Sequence, residues 1–245
     1  MNTRYLLLWL EAPLQSWGCH SKFGPRDTCE FPTKSGIYGL FLSALGYKGN
    51  QESFLEKLNE FNQTVLCFNK EVFPPRLKDF QMVGSGYNRD DKWEALNIPR
   101  KADGGIAVAS RGYGGTKMTY RYYIQDGVFA VIQELDDDLA ELIANALKMP
   151  IFDSYFGRKN CIPTDLIFRG VFDSLSEAKV QSFAIAQEKG LKLQFTVSEK
   201  EESTETMILN DVPISFGEEK EYKDRQVFIK RTNGEFSFID QDHQE

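Results

Sequence analysis

Apolar residues recur along the chain with two periods, and the order in which those periods alternate predicts the elements. Residues 4–10 (RYLLLWL) are a nearly continuous apolar run of strand length, as expected for a central strand covered on at least one face. Ile37, Leu40, Phe41, Ala44 and Leu45 then fall at helical spacing behind Pro32-Thr33-Lys34-Ser35-Gly36. There the proline restricts the approach, a hydroxyl can cap free N–H groups, and Gly46 stops the helix. A second amphipathic helix is expected over 50–60, with Phe54, Leu55 and Leu58 on one side, and a strand over 64–69 (TVLCFN). Residues 119–133 (TYRYYIQDGVFAVIQ) carry two strand-like runs that meet at Asp126-Gly127, a strong hairpin signal. A helix over 136–148 follows, with an Asp-rich start, Leu139, Leu142, Ile143, Ala146 and Leu147 on one face, and Pro150 beyond its end. Strand, helix, strand, hairpin strand, helix is the order of an α+β sheet of the ferredoxin-like or RRM-like kind.

From residue 150 the pattern changes to short strands and charged turns. A helix near 175–186 and strands near 190–198, 205–209 and 225–231 are expected to make a small antiparallel subdomain. The expected division is therefore a larger domain over 1–150 and a β-rich subdomain over 151–245. The connections SEKEEST and GEEKEYKD read as solvated charge runs, better placed at protein interfaces or in water than against RNA, and the tail QDHQE as frayed. The least regular stretch, residues 76–118, lies inside the first domain. It interleaves Arg89, Lys92, Arg100, Lys101, Arg111 and Lys117 with seven glycines and with Tyr87, Trp93 and Tyr113.

Composition narrows the chemistry. The 245 residues, 41% hydrophobic, suffice for a substantial core. Cys19, Cys29, Cys67 and Cys161 show no CxxC spacing and only two histidines exist, so neither a zinc site nor a disulfide framework is indicated, and a reducing compartment is expected. The apolar run Leu6 to Leu10 is too short for a secretory segment and is cut by Glu11 and Pro13, which predicts a cytoplasmic protein with no membrane partner. A net charge of −7 argues against nucleic acid, but its distribution does not: residues 1–130 carry 16 Lys+Arg against 13 Asp+Glu, and residues 131–245 carry 13 against 23. Within 76–121 the count is 9 basic against 5 acidic. Such a chain should bind RNA poorly by itself and better inside an assembly whose other subunits add charge.

The candidate site runs through LQSWGCHSKFGPRDTCEFPTKSGIYGLFLSALG, residues 14–46. Lys34 and Ser35 stand in the first turn of a helix, where a cation opposes the helix dipole, so an anion is expected at that tip. Gly36, Gly39 and Ser43 leave one flank nearly bare, either for close approach of a ligand backbone or for tight packing against the sheet. The GxxxxGK[ST] pattern is not met, because Thr33 stands where it needs glycine, so an NTPase is not indicated. In 76–118, glycine for pliability, cations for phosphate and aromatics for stacking are the ingredients of single-strand RNA recognition. A surface insertion whose aromatics cover its own base is the competing reading.

LQSWG, then Arg26 and Thr28, then FPTKSGIYGLFLSALG resembles the N-terminal signature of the CRISPR-associated Cas-five family, closest to its type I-E Cascade branch. YFGRKNCIPT at 155–164 is similar to a second segment of that family. The resemblance implies a ferredoxin-like RAMP domain whose residues 76–118 form a thumb β-hairpin. It implies a non-catalytic subunit that holds the 5′ handle of the crRNA. Partners would be Cascade backbone subunits and the large subunit, with target DNA met only through the complex; no cofactor is expected. On this reading Gln15, Ser16, Trp17 and His20 form a platform, and Thr33, Lys34, Ser35 and Gly36 receive backbone phosphate. Arg26, Arg111, Arg121 and Arg158 neutralise the handle, and Arg89, Lys92, Arg100, Lys117, Tyr120, Lys159 and Asn160 complete the RNA surface. Trp17 could instead be core, and Arg158 and Lys159 solvated surface. The rival is a metal-independent endoribonuclease acting on repeat RNA, for which His20, Tyr120, Tyr122 and Lys34 are the available acid–base groups. Asp136, Asp137 and Asp138 sit at a helix start, where capping accounts for them.

Overall fold

The computed structural model describes residues 2–18, 25–70, 76–83 and 117–232, without the side chains of residues 82, 83, 117 and 118. Its elements are β1 (Thr3–Gln15), α1 (Lys34–Leu45), α2 (Glu52–Asn59), β2 (Gln63–Asn69), β3 (Leu77–Val83), β4 (Lys117–Asp136), α3 (Asp137–Lys148), β5 (Phe168–Phe172), α4 (Leu175–Glu188), β6 (Lys192–Ser198), β7 (Glu205–Ser215) and β8 (Glu221–Arg231). The described strands form one large antiparallel sheet in the order β5-β1-β4-β2-β6-β8-β7, with β3 pairing to β4 off that path.

The continuous apolar run of β1 has a direct cause. Leu6, Leu8 and Leu10 enter the core beneath α1, α2 and α3, while Leu7 and Trp9 enter a second core beneath α4. Alternate side chains leave a strand on opposite faces, so a strand roofed on both sides must be apolar throughout. Helix boundaries follow local chemistry: Thr33 caps α1, Gly46 ends it at φ 73°, Asp136 caps α3 through Leu139 N–H at 2.8 Å, and Ser174 caps α4.

Two expectations are corrected. Asp126-Gly127 is not a hairpin turn: β4 runs through it as one strand of 20 residues, with Asp126 at φ 45° opposite Pro13 of β1. Proline offers no N–H, so the ladder skips that pair and resumes at Leu14↔Gln125 in unchanged register. Nor is residue 150 a boundary in the sheet. β5 pairs with β1, β6 pairs with β2, and Phe195, Val197, Leu209, Val227 and Ile229 share a core with α1. β5 has no counterpart among the expected strands, and β3 falls in the stretch for which the resemblance implied a β-hairpin. No helix among the described residues is long and apolar enough to cross a membrane.

Candidate nucleic-acid interface

The first turn of α1 is where an anion was expected, and the chain supplies one. The Asp211 carboxylate, carried by β7, accepts the Lys34 backbone N–H at 2.7 Å, and the Thr33 hydroxyl accepts that of Gly36 at 3.3 Å. The Lys34 side chain turns inward. Its Nζ donates to the Phe61 carbonyl at 2.7 Å and to both Glu199 oxygens at 3.1 and 3.2 Å, leaving Lys34 only 2% exposed. Arg225 closes the circuit with two bonds to Asp211, at 2.7 and 2.8 Å, and one to Glu199 at 2.8 Å. Two cations and two carboxylates thus balance in the interior. Burial lowers the Lys34 ammonium from its ordinary value despite Glu199, while burial and then Glu199 push the Tyr38 hydroxyl well above its own. Assigning Thr33 and Lys34 to RNA phosphate is therefore corrected: both are buried, and a carboxylate already holds the tip. So is the reading of SEKEEST as wholly solvated, since its Glu199 joins this cluster.

The LQSWG loop is likewise turned into the protein. Gln15 Nε2 donates to the carbonyls of Leu10 and Gly127 at 3.2 and 2.6 Å, and its oxygen accepts the Trp17 indole N–H at 3.0 Å. Trp17 is buried, stacks on Phe156, and donates its backbone N–H to the Thr28 hydroxyl at 2.8 Å. A Cβ on Gly36 would stand 2.7 Å from the Trp17 ring. At Gly36 the bare flank of α1 is thus taken by this indole and packing is the reading that holds, whereas a Cβ on Gly39 would meet nothing within 4 Å. The Ser16 hydroxyl donates to the Tyr122 carbonyl at 3.3 Å. Gln15, Ser16 and Trp17 shape the loop from within and do not present a platform.

What the loop carries outward is the base of an arm. β3 and the first part of β4 pair from Leu77↔Tyr123 to Val83↔Lys117, making a two-stranded stem. Arg26 lies along the other edge of β4: its N–H donates to the Tyr120 carbonyl at 2.7 Å, and its carbonyl accepts from Tyr122 at 3.0 Å. The 157–161 loop locks this junction. Gly157 stands at φ +88° where a Cβ would overlap the Ser16 carbonyl oxygen. The Arg158 guanidinium donates to the carbonyls of Tyr122 and Arg26 at 3.1 and 2.8 Å and lies 4.5 Å from the Tyr123 ring centroid. Asn160 donates to the Tyr123 hydroxyl at 3.2 Å.

A family model described as CRISPR-associated protein (Cas_Cas5) matches residues 5–233. The chain belongs to that family. Among curated proteins, this Cas_Cas5 chain is 28% identical over 180 residues to the CRISPR system Cascade subunit CasD of Escherichia coli (strain K12), covering 68% of this chain and 70% of that one. Among solved structures it matches a chain of a CRISPR RNA-guided surveillance complex with a TM-score of 0.68 and 27% identity, over 93% of this chain and 89% of the other. A crystal structure of a Cas protein shares the fold, with a TM-score of 0.53, 23% identity and 92% of each chain covered.

In this Cas_Cas5 chain the residues expected at the RNA surface divide into three groups. Gln15, Ser16, Trp17, Thr33 and Lys34 are interior and structural, with Ser35 and Gly36 half-buried beside them, Ser35 donating to the Thr33 hydroxyl and Gly36 packed on Trp17. Arg26, Tyr120, Arg121, Arg158 and Asn160 come together at the base of the arm, beside an exposed Lys159. His20, Arg89, Lys92, Arg100, Arg111 and the side chain of Lys117 lie outside the described residues. Two side chains were missed. Lys78 and Phe80 share the stem with Tyr120 and Tyr122, and the run Leu-Lys-Asp-Phe-Gln over 77–81 carries no period-two alternation that would have marked them in the sequence.

Proposed function

We propose that this Cas_Cas5 chain is a non-catalytic RNA-binding subunit of a type I-E Cascade-type CRISPR assembly, where it holds the 5′ handle of the guide RNA. The observation that carries the reading is the likeness to a chain of an RNA-guided surveillance complex across nearly its whole length. On this reading β5-β1-β4-β2 with α1 and α3 is the ferredoxin-like (RAMP) unit, and the β3–β4 arm is the stem of a thumb. Arg26, Arg121 and residues beyond the stem such as Arg111 then meet phosphate. Backbone subunits and the large subunit are the partners, target DNA is reached through the complex, and the site of action is the cytoplasm. The endoribonuclease reading loses one of its groups, since Lys34 is ion-paired in the interior and cannot trade protons with a 2′-hydroxyl.

The test is co-expression with the other complex subunits and a repeat-spacer array. Complex purified through this chain should carry RNA of uniform length, and charge reversal at Arg111 and Arg121 should deplete it. Undiminished RNA in that variant, or specific cutting of repeat RNA by the purified chain in EDTA, would overturn the assignment.

A further inference from the structure

The stem of the arm has two unlike faces. Strand alternation puts Leu77, Asp79, Arg121 and Tyr123 on one, where Tyr123 is buried under Arg158. On the other, Lys78 stands opposite Tyr122 and Phe80 opposite Tyr120. Phe80 is 50% exposed and Tyr120 37% exposed, with ring centroids 5.4 Å apart and planes tilted by 44°. The Lys78 ammonium lies 5.0 Å from the Tyr120 centroid and 5.7 Å from that of Tyr122.

A two-stranded ribbon is marginal alone, and exposed rings on it leave apolar surface in water. Two rings set at an open angle beside an ammonium are what a planar, anion-flanked ligand needs: a π face to lie on and a cation for the adjoining phosphate. The patch is a pair of rings rather than a broad apolar surface, so it suits one base better than a protein segment. We infer that the Lys78–Phe80–Tyr120–Tyr122 face of the stem stacks one unpaired nucleobase of single-stranded RNA, with Lys78 meeting its phosphate. The inference rests on the RNA-binding reading above and assigns to that site a base-stacking position indifferent to base identity.

The experiment uses the assembled complex, reconstituted on guide RNAs that carry a fluorescent adenine analogue at single positions through the 5′ handle. In the wild type one position is quenched by stacking. Phe80→Ala and Tyr120→Ala abolish that quenching and weaken guide retention about 5- to 150-fold, the range for one base stack. Phe80→Tyr and Tyr120→Phe keep both, which guards against a variant that merely fails to fold. An abasic nucleotide at the quenched position weakens the wild type by the same factor and leaves Phe80→Ala unaffected. If no position is quenched in the wild type, or the alanine variants keep quenching and affinity, the stacking site is refuted while RNA binding stands. If the variants lose subunits but not RNA, the face is a protein contact and the inference is likewise overturned. A wild-type complex without RNA refutes the underlying reading itself.

Discussion

Replacing Lys34 with methionine separates an interior lysine from a phosphate ligand. Lys34 and the three ionic groups around it sum to zero, so Lys34→Met leaves Arg225 facing Asp211 and Glu199 with one uncompensated negative charge. Removing one member of a buried pair costs about 3–5 kcal/mol. The lower end applies here, because Glu199 keeps Arg225 at 2.8 Å and the Gln63 N–H at 2.8 Å. At about 2.1 cal/mol/K of unfolding entropy per residue, 3 kcal/mol in this chain lowers Tm by about 6 °C. The assay is thermal and urea unfolding of the full chain. Lys34→Met with Glu199→Gln should recover part of the loss, since the cluster is neutral again. An unchanged midpoint in Lys34→Met, together with lost guide RNA, would refute the reasoning and return Lys34 to the RNA.

Arg158→Ala should weaken RNA binding by loosening the arm base, with the salt dependence of affinity unchanged; a lost phosphate contact would shrink the log–log slope by about 0.7 for single-stranded RNA. Arg158→Lys keeps the charge but not the two-carbonyl fork, so it should behave like the alanine variant. Gly157→Ala should cost at least about 2 kcal/mol in a urea titration, combining a left-handed backbone with overlap on Ser16, whereas Gly190→Ala, at φ +66° in open space, should cost about 1 kcal/mol. In acid, burial works to raise Glu134 and Asp165, but the bonds from Lys200 and Asn62 to the first, and those from Lys189 and Leu166 with the Arg169 charge at the second, hold both below the ordinary carboxylate range. Their contribution is present above the unfolded carboxylate values and is lost as pH falls through the folded ones, so urea midpoints should drop below about pH 4 and Glu134→Gln should flatten that drop. Glu30 runs the other way: burial raises it despite Arg231 and Arg76, so stability rises as pH falls through its raised value, and Glu30→Gln should remove that rise.

Local chemistry carried the helices. Thr33, Gly46 and Asp136 announce their ends within four residues, and all three boundaries stand. The errors came where a local signal met a distant partner. Asp126-Gly127 has the composition of a tight turn, yet β1 on one side and β2 beyond it hold β4 straight, and no nearby residue reveals that. β3 is a strand only because residues 117–123 return to pair with it. The sequence around Lys34 correctly demands an anion, but the carboxylates that answer lie at positions 199 and 211, and a one-dimensional reading has no means of choosing them over phosphate. Arg158 shows the same limit: its charge is legible, but not the two carbonyls that occupy its donors.

The ionic circuit at the head of α1 also sets a schedule for synthesis. Glu199, the carboxylate that pairs with Lys34, follows it by 165 positions, so at about 5–20 residues per second a ribosome needs roughly 8 to 33 s to deliver it. For that interval the nascent helix waits with its lysine unmatched, and the start of the polypeptide cannot mature before its final third emerges.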